Sequence, residues 1–312
     1  MNVLSLFDGI SCGRLALKRA GITVDKYYAS EIEPNAIKIA QKNWADTIQL
    51  GDVTNWRKWN IDWSKIDLLI GGSPCQGFSS AGKLLNFNDP RSKLFFEYVD
   101  ILNHIKQYNP NVKFLLENVK MKKEWQDVIS NYLGVQPIEI DSEIITPMRR
   151  KRNYWTNFDV LPIIPKNTTL KDVLDDFVDE KYYISDDKFR KLVERTPNGI
   201  SVKNVSNKEM LVDEYDGVIL SRAWQTYCPV IKGKSHAIRA SNPNDSGVCV
   251  KDKYGNLRFR KFTLAEMERM QTLPVGYTVV DGISERQSKK VIGNGWTVDV
   301  IAHIFSCIPK IK

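Results

Sequence analysis

A chain of 312 residues with 42% hydrophobic and 26% charged side chains can bury a sizeable core, as one large domain or as a large and a small one. No apolar run approaches the ~20 residues that cross a bilayer. The opening "MNVLSLFDGISCG" lacks the basic flank of a signal peptide and meets Asp8 and Gly9 at once, so no membrane partner is expected. The formal charge of +8 suits a polyanionic partner, although solvated lysines give the same balance.

The five cysteines, Cys12, Cys75, Cys228, Cys249 and Cys307, form no C-x-x-C pair, and His104, His236 and His303 supply no zinc spacing. A protein of a reduced compartment, with no structural metal, is the expectation. In chain order, "NVLSLF" (2–7) reads as a strand and "GRLALKRAG" (13–21) as a helix closed by Gly21. "DKYYAS" (25–30) and "TIQL" (47–50) are the next strands, with the helical "EPNAIKIAQKNW" between them. "IDLLIGG" (66–72) and "VKFLLEN" (112–118) follow, separated by the helix-like "SKLFFEYVDILNHIKQY" (92–108). Strands alternating with helices imply parallel crossovers, hence an open α/β sheet covered on both faces.

Polar residues collect where these strands end: Asp8-Gly9, Glu31, Gly51-Asp52, Ser73-Pro74-Cys75 and Glu117-Asn118. In an open parallel sheet those ends share one edge, where ligands bind. "FDGISCG" supplies Gly9 and Gly13 but not the G-x-G-x-x-G pyrophosphate fingerprint. With Glu31 far enough downstream to meet a ribose, it fits a nicotinamide dinucleotide or S-adenosylmethionine equally; a tight turn with a helix cap is the plain alternative. Asp52 is placed either to accept from an adenine amino group or to cap "VTNW".

Pro74 has no N–H and pushes Ser73 towards an extended conformation, which presents Cys75 at the edge. A P-C pair alone is more often structural than catalytic. Glu117, however, leaves the next strand on the same edge, and Arg150 and Arg152 in "PMRRKRNYW" precede a further β-like run. Cationic neighbours raise the thiolate fraction of a thiol whose free pKa is about 8.5; a basic surface run is the other reading of those arginines.

Past Asn157 the periodicity weakens, and 160–255 holds short runs among Asn, Gly, Pro and Asp turns, the pattern of a smaller, irregular domain. Arg222, Trp224, Lys232, Lys234 and Arg239 mix basic and aromatic types suited to phosphate and groove contacts, or are solvated singly. "FTLAEMERMQTLP" (262–274) reads as a helix capped by Thr263 with Glu266 completing a capping box. The final "QSKKVIGNGWTVDVIAHIFSCI" is expected to return to the sheet.

From residue 3 to about 307 the chain resembles the C5-cytosine-specific DNA methyltransferases. The resemblance rests on "FDGISCG", "SEIEPNA", "GDVT", "GGSPCQGFS", "DPRSKLFFE", "LLENV", "MRRKRNYWTN", "FTLAEMERMQTLP" and "VIGNGWTVDVI", all in family order. Each is weak alone; "GSPCQGFS" with "ENV" and the late G-N element is specific. "YASEIEPNAI", "NYWTN" and "AEMERMQTLPVGYT" are similar to the animal de novo branch, whereas "SPCQGFS", "DPR" and "GNG" are nearer the bacterial and phage enzymes.

This resemblance implies an α/β fold with an open, mostly parallel, Rossmann-like S-adenosylmethionine-dependent methyltransferase sheet. The catalytic domain would be discontinuous, 1–159 plus 280–312, around a target-recognition domain at 160–279. Cys75 is implied as the nucleophile on C6 of a flipped-out cytosine, Glu117 as the group on N3, Arg152 as a hydrogen-bond donor to the base, and Arg150 as a builder of the site. For the methyl donor it implies the loop Phe7, Asp8, Gly9 and Ile10, Glu31 on the ribose, and Ile32, Asp52 and Val53 around the adenine. Pro74, Asn294 and Trp296 would close the methionine end. The product would be S-adenosylhomocysteine, with no metal required.

DNA contacts are expected from Ser79, Arg91, Arg222 and Lys234, and 76–93 is expected as the mobile loop that closes over DNA, or as an ordinary long loop. The implied partners are double-stranded DNA and a restriction endonuclease of the same system. The setting is the cytoplasm of a bacterial or phage-infected cell, at the nucleoid, with the enzyme a monomer. Two departures limit the transfer: Ser11-Cys12 stands where many relatives have a second glycine, and Met148 where many bacterial relatives carry Gln. A transfer-RNA methyltransferase of the superfamily would carry a C-F-T element, which is absent. A catalytically dead relative would lack the nucleophile or donor site, and a nicotinamide oxidoreductase would have no use for Cys75.

Overall fold

The computed structural model describes residues 1–73, 90–196, 199–203, 206, 208–220, 228–252 and 254–309. The expectations for Pro74, Cys75, Ser79, Arg222, Trp224 and the loop to residue 89 lie outside the described residues, as does the side chain of Arg91. The chain divides into two compact units, one of Met1–Asp141, Lys151–Ile163 and Val298–Lys312, the other of Ser142–Arg150 and Ile164–Thr297.

The first unit is built on one sheet of β1 (Asn2–Leu6), β2 (Lys26–Ser30), β3 (Ile48–Gln49), β4 (Leu68–Gly72), β5 (Lys113–Val119), β6 (Ile138–Asp141) and β7 (Lys151–Thr156). Its order is β3-β2-β1-β4-β5-β7-β6. The first five strands run parallel, and β7 lies antiparallel between β5 and β6. The mostly parallel α/β sheet read from the alternation is therefore present. Helices α1 (Cys12–Arg19), α2 (Pro34–Asn43), α3 (Pro90–Tyr108) and α4 (Lys123–Leu133) connect it. Pro34 sits at the first turn of α2, where its missing N–H has no intrahelical partner to lose.

Alternation along the strands puts Leu4 and Leu6 of β1, Leu69 of β4, and Phe114 and Leu116 of β5 into one core. They meet Phe95, Tyr98 and Leu102 of α3 and Ile129 and Leu133 of α4. Each such side chain contributes about 1.5–3 kcal/mol on leaving water. Trp155 of β7 is fully buried, and its indole N–H is satisfied by Ser130 Oγ at 3.0 Å. The C-terminal helix Val298–Ser306 packs on α1, where Arg19 Nη1 lies 2.6 Å from Asp299 Oδ1.

The second unit carries two antiparallel sheets. Helix α5 (Asp186–Leu192) leads into β8 (Val193–Thr196), β9 (Gly199–Lys203) and β10 (Glu209–Val212). A second sheet has β11 (Gly217–Ile219), β12 (Val230–Ile231), β13 (Ser246–Lys251) and β14 (Leu257–Lys261) in the order β12-β11-β13-β14. The weak periodicity of this region reflects strands of two to six residues, too short for alternation to stand out. Helix α6 (Leu264–Met270) has the expected capping box: Glu266 N–H donates to Thr263 Oγ1 at 3.1 Å and Thr263 N–H to Glu266 Oε2 at 2.8 Å. Helix α7 (Glu285–Asn294) belongs to this unit, whereas Val298–Lys312 lies with the first sheet, so the segment read as one return is divided. Side-chain bonds hold α7 in place: Lys289 Nζ donates to Phe262 O at 2.7 Å and Ser288 Oγ to Thr278 O at 2.9 Å.

Candidate active site

The parallel register pairs Leu6 with Ser30 and Gly71, Ala29 with Gln49, and Gly72 with Glu117. The residues that follow, Phe7–Ser11, Glu31, Gly51-Asp52 and Ser73, leave one edge of the sheet together with Asn118. That edge includes the switch point between β1 and β4, where the strand order reverses.

Phe7, Gly9 and Ser11 all take left-handed conformations, with φ of 56°, 59° and 58°. For Phe and Ser this costs roughly 1–2 kcal/mol each, so the surroundings must hold the loop. Asp8 does so from beneath. Ser11 Oγ and Tyr27 Oη donate to its carboxylate, the latter at 2.7 Å, and Asp8 N–H donates to Ser30 O at 3.1 Å. Loss of water around it pushes the Asp8 carboxyl up to about 6, against the opposing pull of the Ser11, Ser5 and Tyr27 hydroxyls. From the other side, Glu31 Oε2 accepts the Gly9 N–H at 2.7 Å, while Oε1 accepts those of Ile32 and Glu33 at 2.8 and 2.9 Å.

Ile32 stands 70% exposed beside this carboxylate, whereas Ile10 and Val53 point into the interior. Asp52 is the N-cap of the turn Val53–Lys58: Oδ1 accepts from Thr54 N–H and Oγ1, each at 2.9 Å. Its Oδ2 has no hydrogen-bond partner among the described residues. A Cβ built on Gly9 would meet nothing within 4 Å among the described residues. An acceptor carboxylate, an open carboxylate oxygen, an exposed aliphatic chain and a bare backbone suit the ribose and base of a nucleoside.

A second cluster lies at the end of β5. Antiparallel pairing sets Glu117 opposite Tyr154 and Val119 opposite Arg152, which makes Glu117 and Arg152 diagonal neighbours on one face. Arg152 Nε lies 2.8 Å from Glu117 Oε1, with 17% and 11% of the two side chains still exposed. Buried Asn118 ties this strand end to the end of β4: its Nδ2 donates to Ser73 Oγ at 3.2 Å, and its Oδ1 accepts the Val119 N–H at 2.8 Å. The sequence marked Asn118 only as a polar residue after a strand; its role as the tie is visible from the pairing alone.

The second unit holds Arg150, Lys234, Asn294 and Trp296. Arg150 is buried, and its Nη2 donates to Gly293 O at 3.2 Å and Gly295 O at 2.8 Å, so it grips the turn that ends α7. Asn294, the last residue of α7, is exposed, and Trp296 is half-buried. Gln271, which sequence reasoning passed over inside "RMQTLP", donates to the same turn. Lys234 Nζ donates to Thr168 O at 2.8 Å and Glu143 O at 3.4 Å, so a phosphate contact there would displace two carbonyls. Lys232 is shared between Asp213 and Asp216, and Arg239 pairs with buried Asp245.

Cys228 and Cys249 are poor nucleophiles. Cys12, Cys228 and Cys249 are buried, and burial pushes the Cys228 thiol up to about 12 and that of Cys249 upward as well. Cys307 is half-buried and donates to His303 O at 3.4 Å. Among the described residues no helix is long and apolar enough to cross a membrane.

The C-5 cytosine-specific DNA methylase family model matches residues 1–128 and 141–310. The type II methyltransferase M1.ScrFI of Lactococcus lactis subsp. cremoris is 30% identical over 96% of the chain and 76% of that protein. M.NlaX of Neisseria lactamica, also a type II methyltransferase, is 28% identical over 97% and 94%. The orphan methyltransferase M.SPRI of Bacillus phage SPR is 30% identical over 66% of the chain and 58% of its own length. Among solved structures, the Entamoeba histolytica methyltransferase EhMeth superposes with a TM-score of 0.71 at 19% identity, covering 98% of this chain and 96% of that one. Dnmt2 of S. pombe gives 0.65 at 17% identity, over 98% and 97%; at these identities the likeness is one of fold. With sheet, edge and family model in agreement over nearly the whole sequence, the chain belongs to the C-5 cytosine-specific DNA methylase family.

Proposed function

We propose that the protein methylates C5 of a cytosine flipped out of duplex DNA, using S-adenosylmethionine and a transient bond between Cys75 and C6. The observation that carries this reading is the Glu117–Arg152 pair at the end of β5, tied through Asn118 to Ser73. A single residue, Pro74, separates Ser73 from Cys75, a reach of about 7 Å between their Cα atoms. Carbon 5 of cytosine is too poor a nucleophile to be alkylated unaided. Addition of the Cys75 thiolate to C6 breaks the ring's conjugation and makes C5 enamine-like. The raised thiols of Cys228 and Cys249 support giving this role to Cys75.

Glu117 holds N3 and delivers a proton to it as negative charge develops, a general-acid contribution of roughly 10²–10⁴ in rate. Arg152 orients that carboxyl and donates to the base. Once C5 carries the methyl group, with S-adenosylhomocysteine as the other product, loss of the C5 proton lets the Cys75 sulfur leave, restoring the aromatic ring as 5-methylcytosine. None of this is reachable in a stacked duplex, so the base is extruded at a cost of a few kcal/mol.

When bound, the donor supplies an electrophilic methyl group carried on a sulfonium. In this reading Phe7, Asp8, Gly9 and Ile10 shape its loop, Glu31 takes the ribose hydroxyls, and Ile32 and Asp52 flank the adenine, with Val53 meeting it through its backbone alone. Pro74, Asn294 and Trp296 take the methionine end, with Arg150 acting through the turn it grips. Target recognition is assigned to 160–279, and DNA contact to Ser79, Arg91, Arg222 and Lys234, the last by exchanging its carbonyl partners for phosphate. We take the enzyme as a cytoplasmic monomer, with a restriction endonuclease of the same system as its partner.

The test is methyl transfer from labelled donor to duplex DNA and to transfer RNA side by side, followed by bisulfite sequencing of the DNA. Labelled DNA with 5-methylcytosine at a recurring site is the expected result. Transfer to RNA alone, or none by a protein that binds the donor, would overturn the reading.

A further inference from the structure

The turn that ends α7 is held by a buried polar network for which the proposed chemistry has no direct use. Gln271 is fully buried, and its Nε2 donates to Ile292 O at 3.0 Å and Gly295 O at 3.2 Å. Its Oε1 accepts from Thr297 Oγ1 at 2.7 Å, and Thr297 Oγ1 in turn accepts from Ser142 Oγ at 2.9 Å. Arg150 adds bonds to Gly293 O and Gly295 O. The last carbonyls of a helix lack intrahelical partners; here three of them, Ile292, Gly293 and Gly295, are taken by the side chains of Gln271 and Arg150. Gly293 is fixed from a further side, because a Cβ there would lie 2.6 Å from Ala240 N. Amid this packing Asn294 is exposed.

We propose that Gln271, with its amide orientation set by the Thr297 hydroxyl, is a positioning residue that fixes the Gly293–Thr297 turn for donor binding. This rests on the reading above, in which Asn294 and Trp296 meet the methionine end of the donor. The polarity is determined by the acceptors: both carbonyls require the Nε2 end, so the Oε1 end must find a hydroxyl, and Thr297 supplies it. Removing that hydroxyl leaves a buried acceptor unpaired and frees the amide to turn its oxygen towards the carbonyls it should donate to.

The test is calorimetric titration of the full chain with S-adenosylhomocysteine, paired with steady-state kinetics. Gln271→Met and Thr297→Val should each raise the Kd, and the KM for the donor, about tenfold, with kcat at saturating donor changed by less than about threefold. Thr297→Ser keeps the hydroxyl and should restore the affinity. Tyr182→Phe, which loses a hydroxyl bonded to Glu285 outside the network, should bind as wild type. If Gln271→Met fails to fold, Thr297→Val, which swaps one hydroxyl for a methyl, carries the test. Wild-type affinity in Thr297→Val and Gln271→Met, alongside weakened binding in Asn294→Ala, would overturn the positioning role and leave the methyltransferase reading standing. No effect in Asn294→Ala would take the turn out of the donor site and overturn the positioning role alone; no binding by the wild type would overturn both.

Discussion

Replacing Arg152 by Met tests the pair on which the proposed chemistry turns. With Nε 2.8 Å from Glu117 Oε1, and charge centres about 4 Å apart, the attraction is about 4 kcal/mol at an effective dielectric of 20. Desolvation of both groups opposes it, and the residual exposure of each side chain, 17% and 11%, lets water screen part of it. The net coupling should therefore be about 2 kcal/mol. Arg152→Met alone should cost more, about 3 kcal/mol, because it leaves a mostly buried carboxylate without its cation. Glu117→Gln removes that penalty, so the double variant should be more stable than the two single losses added together. Urea unfolding followed by tryptophan fluorescence, run as a double-mutant cycle, measures the coupling. In parallel, Glu117→Gln should slow methyl transfer by roughly 10²–10⁴ while S-adenosylhomocysteine binds within about twofold of wild type. Additive losses in the cycle, or near-wild-type turnover in Glu117→Gln at neutral pH, would refute the reasoning.

Three further outcomes follow from the same geometry. Cys75→Ser should abolish turnover, assayed with labelled donor and duplex DNA, and leave donor affinity intact; equal loss of both in a folded variant would contradict its role. Asp8 holds its proton more tightly in the folded chain than in the unfolded one, because its folded pKa is raised to about 6. Its contribution therefore favours the fold at acid pH and is lost as pH rises through about 6, so wild type should lose stability relative to Asp8→Asn between roughly pH 4 and 7. Parallel melting curves across that range would exclude this. Gly293→Ala must push its new methyl against the Ala240 backbone, 2.6 Å from N and 2.9 Å from Cα. It should destabilise by roughly 1–3 kcal/mol, read as a drop in melting temperature.

Residue chemistry that acts locally was legible in the sequence. The Thr263–Glu266 capping box, the Asp52 cap and the succession of parallel strands each depend on residues within one or two turns of one another, or on a hydrophobic period. The helix "SKLFFEYVDILNHIKQY" (92–108) was read almost to its ends, because its pattern runs for many turns. The family motifs likewise named candidate site residues by type and order. The antiparallel β6–β7 pair was not legible: "IEID" is four residues long, and the run containing Arg152 looked like a basic segment leading into a strand, not part of one.

Only the tertiary structure decided which of those groups meet. Glu117 and Arg152 are 35 positions apart, and their contact depends on β7 running antiparallel to β5 in one particular register; a slip of one residue would put them on opposite faces. The C-terminal segment divides between the units after Thr297, and before that point Lys289 and Ser288 bond to distant carbonyls. Gln271 acquired its role through backbone groups some twenty residues away. Local sequence determines the conformation that a segment prefers and the chemistry that it carries. Long-range pairing, set by burial of whole strand and helix faces, decides what that chemistry is aimed at.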